Sequence, residues 1–362
     1  MDVQSVLIYG GAAVVSFLLA ACAGKTRKRG FVWLIVLMLA LISGLRSFAV
    51  GIDTQGYYDA FQHIAAGDLH LAYAMETGFK YICLFLMKIW HNGHFLFFVF
   101  AFFSHALVLF RLWDEREYIS YPWAVTAYYV LFFPFSLNGL RQFIAVALVF
   151  YATRYMKRGR YLKGLVFVAI AMLFHTSALV GAAYIVFDIL FTRYFNQKRK
   201  LIVQLFVILT VVAGVSLTAV LLNRYGKYFA MTETSLGVML FAKVFLFAVS
   251  AAVLHYRPLY AAKDVTPVTE EEAYFRKSCK WYYLVGILLT FAGYFFLYVG
   301  RVGLFFYIFE ANFIGSVFKT RNRNGWLPLL KGGFALILFY YLVVGIASGA
   351  QGEIPYRFFW QG

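Results

Sequence analysis

Two neighbouring runs decide the fold: TGFKYICLFLMKIW at residues 77–90 and, after His91-Asn92-Gly93, HFLFFVFAFFSHALVLFRL at residues 94–112. The second run, at about 1.5 Å per helical residue, is long enough to cross roughly 30 Å of hydrocarbon. Backbone N–H and C=O groups must be satisfied within each segment in lipid, and this run is too long and too uniformly apolar for a barrel strand, so it reads as a transmembrane helix. The first run is shorter and carries Lys80 and Lys88, so it reads as a re-entrant or interfacial helix that does not cross.

Working outward, similar apolar runs recur near 5–22, 31–48, 122–137, 142–157, 164–175, 177–192, 201–222, 237–255, 281–299, 302–318 and 326–347. The expectation is an all-α, polytopic membrane bundle of about 12 spanning helices, range about 10 to 13, forming one transmembrane domain over 1–362. Composition agrees. With 63% hydrophobic and only 14% charged residues and a mean hydropathy of +0.74, the chain falls outside the soluble class. Its 27 tyrosines suit an interfacial belt and, secondarily, sugar-stacking walls. Cys22, Cys83 and Cys279 are far apart and read as apolar fillers, without metal or disulfide spacing. Leu19-Ala20-Ala21-Cys22 resembles a lipoprotein cleavage box, but the basic cluster Lys25, Arg27, Lys28, Arg29 follows it directly, and retention is expected.

If 77–90 does not cross, the loops at 24–30, 111–121, 154–163, 193–200, 255–280 and 319–325 share the cytoplasmic side and hold most of the 33 Lys and Arg. That asymmetry is a positive-inside signature, and it explains the +17 formal charge without nucleic acid. The external loop 49–76 is acidic, with Asp53, Asp59, Asp68 and Glu76 and no Lys or Arg. The internal segment 255–280 reads as a polar connector with a short surface helix. No inverted repeat is evident, which weakens the commonest transporter architecture.

Ionisable groups at membrane depth are functional candidates. This topology gathers several of them on the outer side: Arg46, Asp53 and Tyr57, then Glu76, then Asn138, Arg141 and Gln142, then His175, then Arg301. Each has a plainer reading. A lone Arg at a helix end most often snorkels, a lone His in an apolar run most often bridges helices, and Asp53-Thr54 is also a helix cap. Convergence of three arginines, two carboxylates and a histidine on one face favours a site. Asn138 and Arg141 share a face if their turn is helical, and no acidic residue lies near Arg141 in sequence to neutralise it.

These stretches resemble the EpsG family of polysaccharide polymerases, similar in role to Wzy O-antigen and capsule polymerases. Arg46, then Gly51-Ile52-Asp53-Thr54 and Tyr57, matches its Arg and Gly-x-Asp-Thr-x-x-Tyr; Glu76-Thr77-Gly78-Phe79 matches its Glu-Pro-Gly-Phe, with Thr for Pro. Asn138-Gly139-Leu140-Arg141-Gln142 looks like its Asn-x-x-Arg-Gln, and Phe174-His175-Thr176-Ser177 like its Phe-His-x-Ser; the likeness extends to Arg301 and, more weakly, to Ile354-Pro355-Tyr356. The resemblance implies a multi-pass protein of the bacterial inner membrane that polymerises oligosaccharide repeat units on undecaprenyl pyrophosphate into a surface polysaccharide, at the periplasmic face. It implies as partners the lipid-linked oligosaccharide, membrane lipids, a chain-length regulator and a flippase.

On that reading Arg46, Arg141 and Arg301 bind pyrophosphate through their planar forks. Tyr57, Asn138 and Gln142 bind glycan, and His175, Asp53 or Glu76 takes the acceptor proton. Pyrophosphate is a good leaving group, so neither metal nor cofactor is called for. The rivals are a transporter or flippase of an anionic lipid-linked glycan and a membrane acyltransferase using His175. An O-antigen ligase is disfavoured because the outer loops are short.

Overall fold

The computed structural model describes residues 2–68, 75–189, 244–249, 269–293, 297–320, 327–349 and 352–361. The chain is an all-helical membrane bundle, as the apolar runs require. Among the described residues, four helices are long and apolar enough to cross a membrane: Val3–Thr26 (α1), Gly93–Asp114, Val299–Lys319 and Leu327–Ser348. The spans expected at 201–222 and most of 237–255 lie outside the described residues, as does the loop at 193–200. The helices fall into two compact units, residues 1–179 with 335–362, and residues 180–334.

The first unit holds α1, Gly30–Gly44 (α2), Thr54–Ala65 (α3), Thr77–Ile89 (α4), Gly93–Asp114 (α5), Tyr121–Asn138 (α6), Leu140–Met156 (α7) and Tyr161–Met172 (α8). α5 lies at its centre, packed on α2, α6 and α7, while α1 packs on α2 and α6, and α8 on α7. Asn92 starts α5 as its N-cap, accepting from the His94 and Phe95 amides at 2.8 and 3.4 Å. Such a cap satisfies donors that would otherwise be orphaned.

The positions of its two ends show that α4 does not run the length of the bundle. At its start, Glu76 pairs with Arg141 in the first turn of α7. At its end, Ile89 lies a few residues before α5, whose His94 ring bonds the Gly44 carbonyl at the end of α2 at 3.1 Å. Arg46, just past α2, bonds the Leu137 carbonyl at the end of α6, one residue from the α6–α7 junction. Both ends of α4 therefore sit at the same end of the bundle. Its 13 residues give a rod of about 20 Å laid across that end.

The opposite end is closed by a buried ion cluster. Arg111 bonds Glu115 at 2.7 Å and Thr153 at 2.9 Å, and Lys157 reaches Glu115 at 3.2 Å, so the C-termini of α5 and α7 are clamped together. Charges taken this far out of water persist only when paired.

The second unit contains Glu270–Gly293 (α10), Leu297–Tyr307 (α11), Glu310–Lys319 (α12) and the start of Leu327–Ser348 (α13); Thr176–Phe187 (α9) begins in the first unit and ends in this one. Here the structure corrects two boundaries. The end of the 255–280 connector is not a separate surface helix but the first turns of α10, which runs unbroken from Glu270. Glu270, Glu271 and Glu272 sit in its first turn, where the helix dipole favours negative charge, and no proline follows before Gly293. The span expected at 281–299 is not one helix: α10, described to Gly293, packs tightly against α11. A Cβ on Gly293 would fall 2.5 Å from the Gly300 Cα, and one on Gly286 2.6 Å from the Tyr307 nitrogen. Only residues without side chains let helices approach so closely.

Candidate active site

The end of the first unit that α4 covers carries the motif residues, in two adjoining groups. The first is built around Arg46, which is 1% exposed. Its Nη2 donates to the Leu137 carbonyl at 2.7 Å and to Thr54 Oγ1 at 3.3 Å, and its guanidinium lies 4.8 Å from the centre of the Phe97 ring. The C-terminal segment lies over it: Arg46 and Phe358 form an isolated bridge, the Ser47 amide donates to the Arg357 carbonyl at 2.8 Å, and the Tyr356 hydroxyl donates to Ile42 at 2.9 Å. Arg46 is thus a covered cation held by neutral oxygens and an aromatic face.

Gly51-Ile52-Asp53-Thr54 forms the turn into α3. Gly51 has φ +100°, and a Cβ there would meet Thr54 Oγ1 at 2.5 Å and Asn138 Oδ1 at 2.8 Å, so the motif glycine is required twice over. The Asp53 amide donates to Asn138 Oδ1 at 3.3 Å. The Asp53 carboxylate is exposed and makes no ion pair among the described residues.

The second group is built around Arg141 and Glu76. Glu76 Oε2 takes Arg141 Nη1 at 2.5 Å, and its other oxygen, Oε1, accepts the Thr176 amide at 3.2 Å. The carboxylate therefore ties the start of α7 to the turn that carries His175. This corrects the sequence expectation that nothing acidic neutralises Arg141. The partner is distant in sequence and arrives only because α4 lies across the bundle end. Tyr57, one turn along α3 from Thr54, is buried against Phe61 and Phe79 with Arg141 beside its hydroxyl; burial, more than the cation opposes it, pushes that hydroxyl above its usual range.

A second correction concerns Asn138 and Arg141. They do not share a helix face. Gly139, at ψ 46°, breaks the chain between α6 and α7, sending Asn138 to the Asp53 turn and Arg141 to Glu76. A Cβ on Gly139 would lie 2.6 Å from the Phe135 ring, so a larger residue there would have to push that ring aside. Gln142 is buried in the first turn of α7. Arg301 lies on α11 in the second unit, where its residue is exposed.

Sequence reasoning passed over Gly78 as more than a motif letter. The Phe79 amide donates to the Leu173 carbonyl at 3.1 Å, and a Cβ on Gly78 would fall 2.4 Å from Leu173 Cβ and 2.8 Å from its carbonyl oxygen. The Glu-Thr-Gly-Phe stretch therefore docks directly on the end of α8, next to Phe174-His175. Thr77 stands where the family pattern has Pro, and the structure makes the exchange harmless. It is the first residue of α4, a position where Pro is favoured because its missing N–H has no helical partner there.

Gly78→Ala is expected to lower the melting temperature by several degrees, because overpacking at a fixed backbone costs roughly 1–3 kcal/mol. It should also reduce activity by pulling Glu76 off Thr176. Gly56→Ala on α3, where nothing lies within 4 Å, is the matched control and should change neither. Thermal unfolding in detergent with product yield from the same preparations checks both.

No curated protein and no solved structure matches this chain. A family model does, over residues 30–358, a range that takes in α2, every motif stretch just described and the C-terminal segment over Arg46. With most of its length matched, the chain belongs to the EpsG family.

Proposed function

We propose that this protein is a membrane glycosyltransferase that joins oligosaccharide repeat units, carried on undecaprenyl pyrophosphate, into a bacterial surface polysaccharide at the outer face of the inner membrane. Family membership supports the coarser part, a polysaccharide-polymerase type of role. The observation that carries the finer reading is the Glu76 bridge, which holds the Arg141 fork and the His175 turn in one place.

In the proposed reaction the acceptor hydroxyl attacks the anomeric carbon of the donor sugar. The new C–O bond forms as the bond from that carbon to pyrophosphate breaks, its electron pair leaving on the phosphate oxygen. Arg141 faces that developing charge; a guanidinium presents five N–H donors in a planar fork matched to phosphate oxygens. Asp53 takes the hydroxyl proton, because its carboxylate is exposed whereas both Glu76 oxygens are engaged. Glu76 is then a positioning residue. Tyr57 and Asn138 shape the floor on which the sugars rest. Arg46, covered and bonded to neutral oxygens, fixes the α2–α6 junction and adds positive potential beneath the site.

Purified protein in lipid vesicles, given a lipid-pyrophosphate oligosaccharide, should convert it to a ladder of longer chains. A transporter would move the substrate across the bilayer without lengthening it, and an acyltransferase would leave acyl groups on the glycan. Either result without a ladder overturns the proposal.

A further inference from the structure

The turn Phe174-His175-Thr176-Ser177 contains a constraint that neither the motif nor the proposed reaction explains. The Ser177 backbone amide donates to His175 Nδ1 at 3.3 Å, and the Ser177 hydroxyl lies 2.6 Å from the same nitrogen. A backbone N–H can only donate, so Nδ1 must present its lone pair to it. Neutral imidazole carries one proton, which therefore sits on Nε2. The Ser177 hydroxyl then donates as well, because Nδ1 has no hydrogen to offer it. The turn is held from its other side by the Thr176 amide on Glu76, and Ser177 is itself buried, so the ring is not set by solvent.

A histidine in this form cannot take a proton at Nε2, since a base needs a lone pair there. We infer that His175 is a hydrogen-bond donor to the departing pyrophosphate, not the general base, and that Ser177 is the positioning residue that fixes its tautomer. The inference rests on the polymerase reading. As the bond between anomeric carbon and pyrophosphate oxygen breaks, the electron pair collects on phosphate oxygen, and Nε2–H hydrogen-bonds that oxygen without transferring its proton. The acceptor's proton goes to Asp53. Preformed donors aimed at developing charge are worth roughly 10²–10³ in rate.

The Ser177–His175 contact also admits a different chemistry, a serine nucleophile with histidine as its base. The two readings predict opposite results for Ser177→Ala. The backbone donor survives that change, so a positioning Ser177 should lose less than about tenfold, whereas a nucleophile should lose as much as His175→Ala. Ser177→Thr keeps the hydroxyl and should restore parental activity.

The decisive comparison is His175→Gln against His175→Asn in the vesicle assay. The Gln carboxamide reaches the Nε2 position and can donate an N–H there, while Asn reaches only the Nδ1 position. His175→Gln should stay within about tenfold of the parent and His175→Asn should fall by about a hundredfold or more. Equal losses in the two overturn the donor role. Nitrogen-15 spectra of histidine-labelled protein, assigned by subtracting the His175→Gln spectrum, should show a non-protonated Nδ1 and a protonated Nε2. A protonated Nδ1 in the parent overturns the tautomer assignment whatever the activities. A parent that makes no ladder, with the spectrum as expected, would sink the polymerase reading and the donor role with it while leaving the Ser177 lock in place.

Discussion

Asp53→Asn is expected to yield a folded, inserted protein that makes polymer at least about a hundredfold more slowly than the parent. The change is close to isosteric, and the structure says why the fold should ignore it. Asp53 precedes α3 but makes no side-chain capping bond, and it is the backbone amide, not the carboxylate, that reaches Asn138. Loss of the carboxylate therefore removes a proton acceptor and little else. Positioned general bases contribute about 10²–10⁴ in rate, which sets the size of the effect. Single repeat units should accumulate on the lipid carrier. If Asp53→Asn polymerises within about twofold of the parent, the base is another group, and Glu76 becomes the one to test.

Arg141→Lys should lose at least about tenfold in rate while remaining as stable as the parent. The ammonium can still reach Glu76, so the contact that orders the bundle end survives. What it cannot do is present a planar fork, and a hydrogen bond to a charged group is worth roughly 1.5–3 kcal/mol, or about tenfold and upward. Arg141→Ala is the harsher variant, because it strands a half-buried Glu76 carboxylate. If Arg141→Lys polymerises normally while Arg141→Ala fails to fold, the arginine serves only to neutralise Glu76. The pyrophosphate would then need another cation, and Arg46 could supply it only after the segment at 352–358 moves away.

The effect of tertiary structure shows most clearly in two histidines. His105 and His175 both stand in apolar runs, and only the Phe-His-x-Ser likeness around His175 sets them apart in sequence. His105 proves to be fully buried within α5, its Nδ1 2.6 Å from the Tyr128 hydroxyl on α6. That is the helix-bridging role that is the more usual one for a lone histidine in lipid. His175 sits instead at a turn between helices, beside Glu76. Sequence periodicity reports only that a residue lies in a helix; which neighbour it meets is decided by packing.

By itself the sequence determined the fold class and, among the described residues, most of the apolar helix positions. Lipid forces each backbone polar group to be satisfied locally, so an apolar run of sufficient length has essentially one outcome. The short length and two lysines of 77–90 marked a segment that does not cross, and the ends of α4 agree. The family was legible too, because its motifs fall at turns where glycine, asparagine and arginine are each needed for local reasons. Only the tertiary structure decided the partnerships: Glu76 with Arg141 and with the Thr176 amide, Gly78 against Leu173, the C-terminal segment over Arg46, and Asn138 turned away from Arg141. These contacts join residues far apart along the chain. A contact of that kind leaves no periodicity behind it, because its geometry exists only once the helices have packed.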